Sequence, residues 1–199
     1  MVSPRRIAIL DAATRLFAAR GYRETSTTDV ARLTGSAEGT VFYHFESKEK
    51  LFLAVLNEVR NTIDRAFSEF LPDIEALSGL ESFEALAGFY LELASKHQAE
   101  FMMLHRHQAY DLAEVNEQCR NLLEAIYERF IDAFEGAILR VQQDDATAPL
   151  PAYKTAFLVY MMLDGLVRMK HYNLYDADSL LEDFLAASRS LVLARKEDG

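Results

Sequence analysis

Residues Thr25 to Leu51 read TSTTDVARLTGSAEGTVFYHFESKEKL, and they decide the fold. Ser26 stands three residues before Asp29. A hydroxyl at an N-cap with a carboxylate three residues on starts a helix, because each satisfies a free backbone N–H. Val30, Ala31 and Leu33 give that helix an apolar side, and Gly35 ends it with the left-handed backbone a tight turn needs. Ala37, Val41 and Phe45 recur at i, i+4 and i+8, so they share one face of a second short helix. Ser47 then caps a third helix, with Lys48 in its first turn.

Glu38, Gly39, Thr40, Tyr43 and His44 lie opposite the apolar face of the second helix, with Phe42 at its margin. A short helix with a small, polar and aromatic outer face suits the major groove, which is wide enough to admit it. Thr40 can exchange hydrogen bonds with a base edge and offers a methyl to thymine. Gly39 allows close approach, Glu38 can accept from cytosine N4, and Phe42 can pack on a thymine methyl. Ser26, Thr28, Tyr43, His44 and Lys48 are expected to hold phosphates; a lysine in a first turn opposes the helix dipole unless an anion lies beyond it. Arg5 and Arg6 leave two readings open, phosphate or solvent.

These residues resemble the TetR (tetracycline-repressor-like) family of bacterial regulators. Its pattern of an AA..LF...GY..T segment, then VA, a glycine turn and GT.(Y/F).HF..K..L is met by Ala12, Ala13, Leu16, Phe17, Gly21, Tyr22, Thr25, Val30, Ala31, Gly35, Gly39, Thr40, Val41, Tyr43, His44, Phe45, Lys48 and Leu51. The close resemblance covers the first quarter of the chain. It departs at Ser36-Ala37, where an apolar residue and then serine are usual, and at Phe42, where tyrosine is frequent. The resemblance implies a homodimer closed by a four-helix bundle of the last two helices from each copy, and a small-molecule pocket among the middle helices.

Composition agrees with an all-α protein. The 199 residues include only four prolines and eight glycines, and alternating strand patterns are scarce. The single Cys119 cannot form an internal disulfide, which suits a reducing cytoplasm, and a small buried filler is its plainest reading. The longest apolar run, residues 156–163, is too short to cross a bilayer, and no signal peptide is expected. Residues 1–50 carry eight Lys or Arg against six Asp or Glu, whereas the rest carries thirteen against twenty-five. The positive excess therefore falls on the expected reader, where DNA would need it.

Outward from the reader, Ser3-Pro4 starts a first helix that Gly21 ends, with Tyr22 expected to tuck against Phe17, Val41 and Phe45. The third helix keeps its stripe to about Leu71, where Pro72 is expected to end it, giving a long connector between reader and body. Residues 72–82 read as a linker, followed by a helix around Phe83 to Ala94 and another over 98–110. A long helix begins near Glu114 and runs through Ile138, residues 142–152 form a loop, and residues 153–172 are apolar nearly all round. Leu180 to Val192 make the last helix. About nine helices result: a three-helix helix-turn-helix domain over 1–50 and a helical bundle for ligand binding and dimerisation over 51–199.

Phe67, Phe89, Tyr90, Phe101, Met102, His105, Tyr127, Phe130, Phe134 and Met161 are the pocket candidates. No arginine cluster stands out, so an apolar or amphipathic ligand is expected; an anionic acyl ligand would look to Arg106 or Arg168. Phe157, Tyr160, Leu181, Phe184, Leu185 and Leu191 are the dimer candidates. His105 and His107 point about 200° apart on a helix, so they do not face one metal ion, and no cofactor is expected. No GxSxG, P-loop or GxGxxG occurs, which argues against an enzyme. The reading is therefore a ligand-responsive DNA-binding regulator, with a repressor preferred to an activator and a non-transcriptional interaction protein less favoured.

Overall fold

The computed structural model describes residues 3–144, 151–174 and 176–193. Those residues form ten α-helices and a 3-10 turn over Ala177–Leu180, one helix more than the patterns suggest. The helices are α1 Pro4–Arg20, α2 Thr27–Leu33, α3 Glu38–Phe45, α4 Lys48–Ile74, α5 Gly79–Lys96, α6 Gln98–Leu104, α7 His107–Val115, α8 Glu117–Asp144, α9 Ala152–His171 and α10 Leu181–Val192.

Several boundaries differ from the sequence reading. α4 passes Pro72 and ends at Ile74, because a proline in the last turn forfeits only one hydrogen bond. The segment read as one helix over 98–110 breaks at His105 and Arg106, where Arg106 adopts an extended backbone before α7. α8 starts at Glu117, with Asn116 Oδ1 accepting from the Cys119 N–H, so Glu114 belongs to α7. α8 then continues to Asp144 through what was read as loop, of which residues 145–150 lie outside the described residues. Ser78 begins α5: its Oγ accepts from the Glu81 N–H, and its own N–H donates to Glu81 Oε2 at 2.9 Å.

The chain divides into two compact units, residues 1–63 with 97–126, and residues 64–96 with 127–199. In the first, α1, α2 and α3 enclose a small core of Ile9, Ala13, Phe17, Val30 and Val41, to which α4 adds Leu51, Phe52 and Leu56. Tyr22 packs on Phe17, as expected, and also edge-on to Phe52 of α4 at 5.1 Å. α6 also packs along α1 in this unit. The second unit is organised on aromatic rings from α4, α5, α8 and α9, described below.

Candidate DNA interface and aromatic core

The reader is built by backbone demands that its sequence meets. Ser26 Oγ accepts from the Asp29 N–H at 3.0 Å, and the Ser26 N–H donates to Asp29 Oδ2 at 3.2 Å, a complete capping box. The Ser26 hydroxyl also donates to Asp29 Oδ2 at 2.7 Å, and this bond, then the Ser26 N–H, hold the Asp29 carboxyl below its ordinary pKa, assisted by Arg32 and Arg20. Gly35 takes φ 61° in the turn. Ala37 is the N-cap of α3 and contributes no side-chain bond, so it leaves the apolar face expected of it. Ser36 does not cap either: its hydroxyl pairs with that of Thr34 at 2.9 Å, and Arg5 Nη1 donates to the Thr34 carbonyl at 3.2 Å.

α3 buries Val41 and Phe45 and turns the opposite residues outward. Tyr43 is 83% exposed and Phe42 44%, so both rings are open to a partner. Glu38 and Gly39 are exposed, whereas Thr40 and His44 are half-buried. A Cβ added at Gly39 would meet nothing within 4 Å, so that turn of α3 presents bare backbone. Thr28 and Glu38 are not independent: Thr27 Oγ1 and Thr28 Oγ1 both donate to Glu38 Oε1, at 2.9 and 2.8 Å. Lys48 Nζ donates to the Tyr22 carbonyl at 3.1 Å and lies 4.5 Å from the Tyr22 ring centre. With a second, longer bond from Nζ to the Arg23 carbonyl at 3.4 Å, this accounts for a lysine in a first turn without any phosphate. Arg6 lies over the Phe45 ring and Arg5 is tied to Thr34, so the two basic residues in the first turn of α1 are held beside the reader.

In the second unit, Phe67 meets Phe89 at 4.9 Å and Phe130 at 5.2 Å. Tyr90 stands edge-on to Phe130 at 4.9 Å and to Tyr160 at 5.8 Å, and Tyr127 reaches Tyr160 at 6.2 Å. Phe134 packs on Phe83. The buried Tyr90 hydroxyl donates to Asp164 Oδ1 at 2.6 Å. Burial, then the nearby charges of Tyr160 and Asp164, raise the Tyr90 pKa well above its ordinary value, so it stays a donor. The structure thus gathers Phe67, Phe89, Tyr90, Tyr127 and Phe130, and adds two residues that the pattern did not supply to a pocket, Tyr160 and Asp164. Phe101, Met102 and His105 belong to the other unit. Met161 lies apart from the cluster, on the outside of α9 and 49% exposed.

Of the dimer candidates, Phe157 is exposed, Leu181, Leu185 and Leu191 are half-buried, and Tyr160 and Phe184 are buried within the chain. α9 carries a further outward row of Tyr153, Leu158 and Met162, which its composition announced only as apolarity on all sides. Cys119 is buried, its thiol pushed up to about 11 by desolvation and then by Glu49, as an unreactive filler would be.

A helix-turn-helix that turns a ringed, glycine-bearing face outward is the arrangement of a DNA-binding transcriptional regulator. Residues 9–55 match the family model described as bacterial regulatory proteins, tetR family. The regulator TtgR of Pseudomonas putida is 26% identical over 167 residues, spanning 82% of this chain and 78% of that protein. The repressor KstR2 of Rhodococcus jostii is 30% identical over 138 residues, spanning 63% and 65%. The solved structure of the Bacillus subtilis regulator FadR in complex with stearoyl-CoA shares the fold, with a TM-score of 0.72, 18% identity and coverage of 93% and 98%. Residues 9–55 thus carry the DNA-binding segment of the tetR family of bacterial regulatory proteins, and the chain is similar along most of its length to transcriptional regulators.

Proposed function

We propose that this protein is a cytoplasmic, homodimeric repressor that leaves a palindromic operator when a small apolar or amphipathic molecule binds its body, with residues 1–50 as the DNA-binding domain and 51–199 as the ligand-binding and dimerisation domain. The observation that carries the reading is the division of α3, with Val41 and Phe45 inward and Gly39, Phe42 and Tyr43 outward. Thr40 reads a base edge beside them, and Ser26, Thr28, Tyr43, His44 and Lys48 hold the backbone.

One eight-residue helix spans few base pairs, so a two-fold dimer is needed to reach useful specificity. The outward row of Tyr153, Phe157, Leu158, Met161 and Met162 on α9 supplies the surface for it. The aromatic core around Phe67, Tyr90 and Phe130 favours an apolar ligand, and the Tyr90–Asp164 pair offers one polar handle. An anionic acyl ligand is the second reading. The stearoyl-CoA of the FadR neighbour favours it, and Arg168, whose buried Nε has no hydrogen-bond partner among the described residues, suits it. Arg106 does not suit it, because its guanidinium is engaged by α1. Ligand would release DNA only through a difference in its affinity for the two states.

Light scattering on the purified chain, alone and with duplex DNA, tests the assembly. Two chains per molecule are expected, and Phe157→Glu combined with Met161→Glu should give monomers that bind duplex weakly. A wild-type monomer with undiminished DNA selectivity contradicts the proposal.

A further inference from the structure

Glu38 stands in the first turn of α3, and its Oε1 receives both the Thr27 and the Thr28 hydroxyl protons. A hydroxyl carries one proton. While Thr28 donates to Glu38 it cannot donate to a phosphate oxygen, although it lies on the exposed side of α2 where the reader would meet the backbone. The carboxylate is therefore a charge of the same sign as phosphate, holding the hydroxyl that phosphate would claim. Glu38 is exposed rather than sequestered, so an incoming duplex meets its charge directly.

We propose that Glu38 is a specificity-determining competitor of DNA phosphate: it suppresses binding to arbitrary sequence and yields only where the major groove offers it an amino group. This rests on α3 being the helix that enters the groove. When the duplex approaches, Thr28 turns its proton from Glu38 to a phosphate, and the carboxylate loses a donor. Cytosine N4 and adenine N6 are the major-groove amino groups able to replace it, whereas guanine and thymine present acceptors. At a sequence with an amino group under Glu38 the exchange is balanced. Elsewhere a desolvated carboxylate faces acceptors and phosphates, which is unfavourable. Discrimination then comes mainly from a penalty on wrong sequences, a recognised route to specificity.

The simpler role is a brace, in which the two threonines merely tie α2 to α3, and Glu38→Gln separates the two. The amide keeps the shape and an accepting oxygen but removes the charge. Affinity should be measured for a random-sequence duplex and for the duplex that the wild type enriches from a random pool, across a salt series. For Glu38→Gln, binding to the random duplex should tighten by about threefold to tenfold, with a salt slope steeper by up to about one per site. Binding to the enriched duplex should tighten less, so the ratio between the two falls. Unchanged affinity for the random duplex overturns the proposal, whether preference is lost at one base pair, as for a simple reader, or only the melting temperature drops, as for a brace. A wild type that enriches no sequence overturns the assignment of α3 itself, which is a different failure.

Discussion

Arg106 Nε and Nη2 both donate to the carbonyl oxygen of Ala18, at 3.0 and 2.7 Å, and Nη2 also reaches the Ala19 carbonyl at 2.7 Å. A residue at the α6–α7 corner thus caps the C-terminal turn of α1, which belongs to the DNA-reading half of the same unit. The guanidinium fits because it is a planar fork of donors and because a cation favours a helix C-terminus. Arg106→Ala should lower stability by about 1–3 kcal/mol, read from thermal or urea unfolding. Arg106→Lys should recover only part, since an ammonium cannot reproduce the fork. Full recovery by lysine would show that charge alone matters here.

Gly21 ends α1 at φ 84° and ψ 169°, a region that side chains avoid. A Cβ there would lie 2.5 Å from the Gln108 side-chain oxygen. Gly21→Ala should destabilise by about 1–3 kcal/mol. Adding Gln108→Ala should restore little, because backbone strain outweighs a clash with the end of a flexible side chain. Complete rescue by the second change would place the cost in the clash.

Asp29 and Glu81 are both held below their ordinary pKa by hydrogen bonds from the serines that cap their helices. Lowered folded-state values mean that the stabilisation is present above the unfolded carboxylate range and is lost as pH falls through the folded values. Unfolding free energy should therefore decline as pH drops below about 4. Ser26→Ala with Ser78→Ala should flatten that decline, because the folded and unfolded values converge. An unaltered pH profile in the double variant would remove the capping boxes from the account.

Thr40→Ala should relax preference at a single base position by about 1–3 kcal/mol, measured by binding to single-substituted duplexes. Lys48→Ala should instead weaken all duplexes about equally and lower the salt slope by about one per site. Because Lys48 also holds the Tyr22 carbonyl, its melting temperature should fall as well. A Lys48 variant that melts earlier but keeps its salt slope would confine the lysine to the structural bond.

The legible parts of this fold were those set by local backbone chemistry. Ser26 with Asp29, Gly21 and Gly35 each solve a problem within a few residues of themselves, so their spacing is enough. Ser78 with Glu81 has the same three-residue spacing and starts α5, a signal present in the chain but hidden in what reads as linker. The break at His105 and Arg106 carries no glycine or proline, and the bond that accompanies it reaches a carbonyl 88 residues away. Tyr22 reaching Phe52, and Tyr160 turning inward to Phe130 while Phe157 faces out, depend on packing angles between helices that periodicity does not fix. Thr28 and Glu38 stand out in the sequence as separate contacts, but their pairing, and the part of Thr27 in it, required the turn geometry.

Selection of bound duplexes from a random pool at physiological salt tests the central claim most directly. A dimeric reader built on α3 should enrich a palindrome whose half-sites lie about 34–36 Å apart, or a multiple of that. The protein should be selected both as purified and after unfolding and refolding to remove any bound ligand. Enrichment of such a palindrome in either preparation is the predicted result. A pool without preference in both would contradict the account.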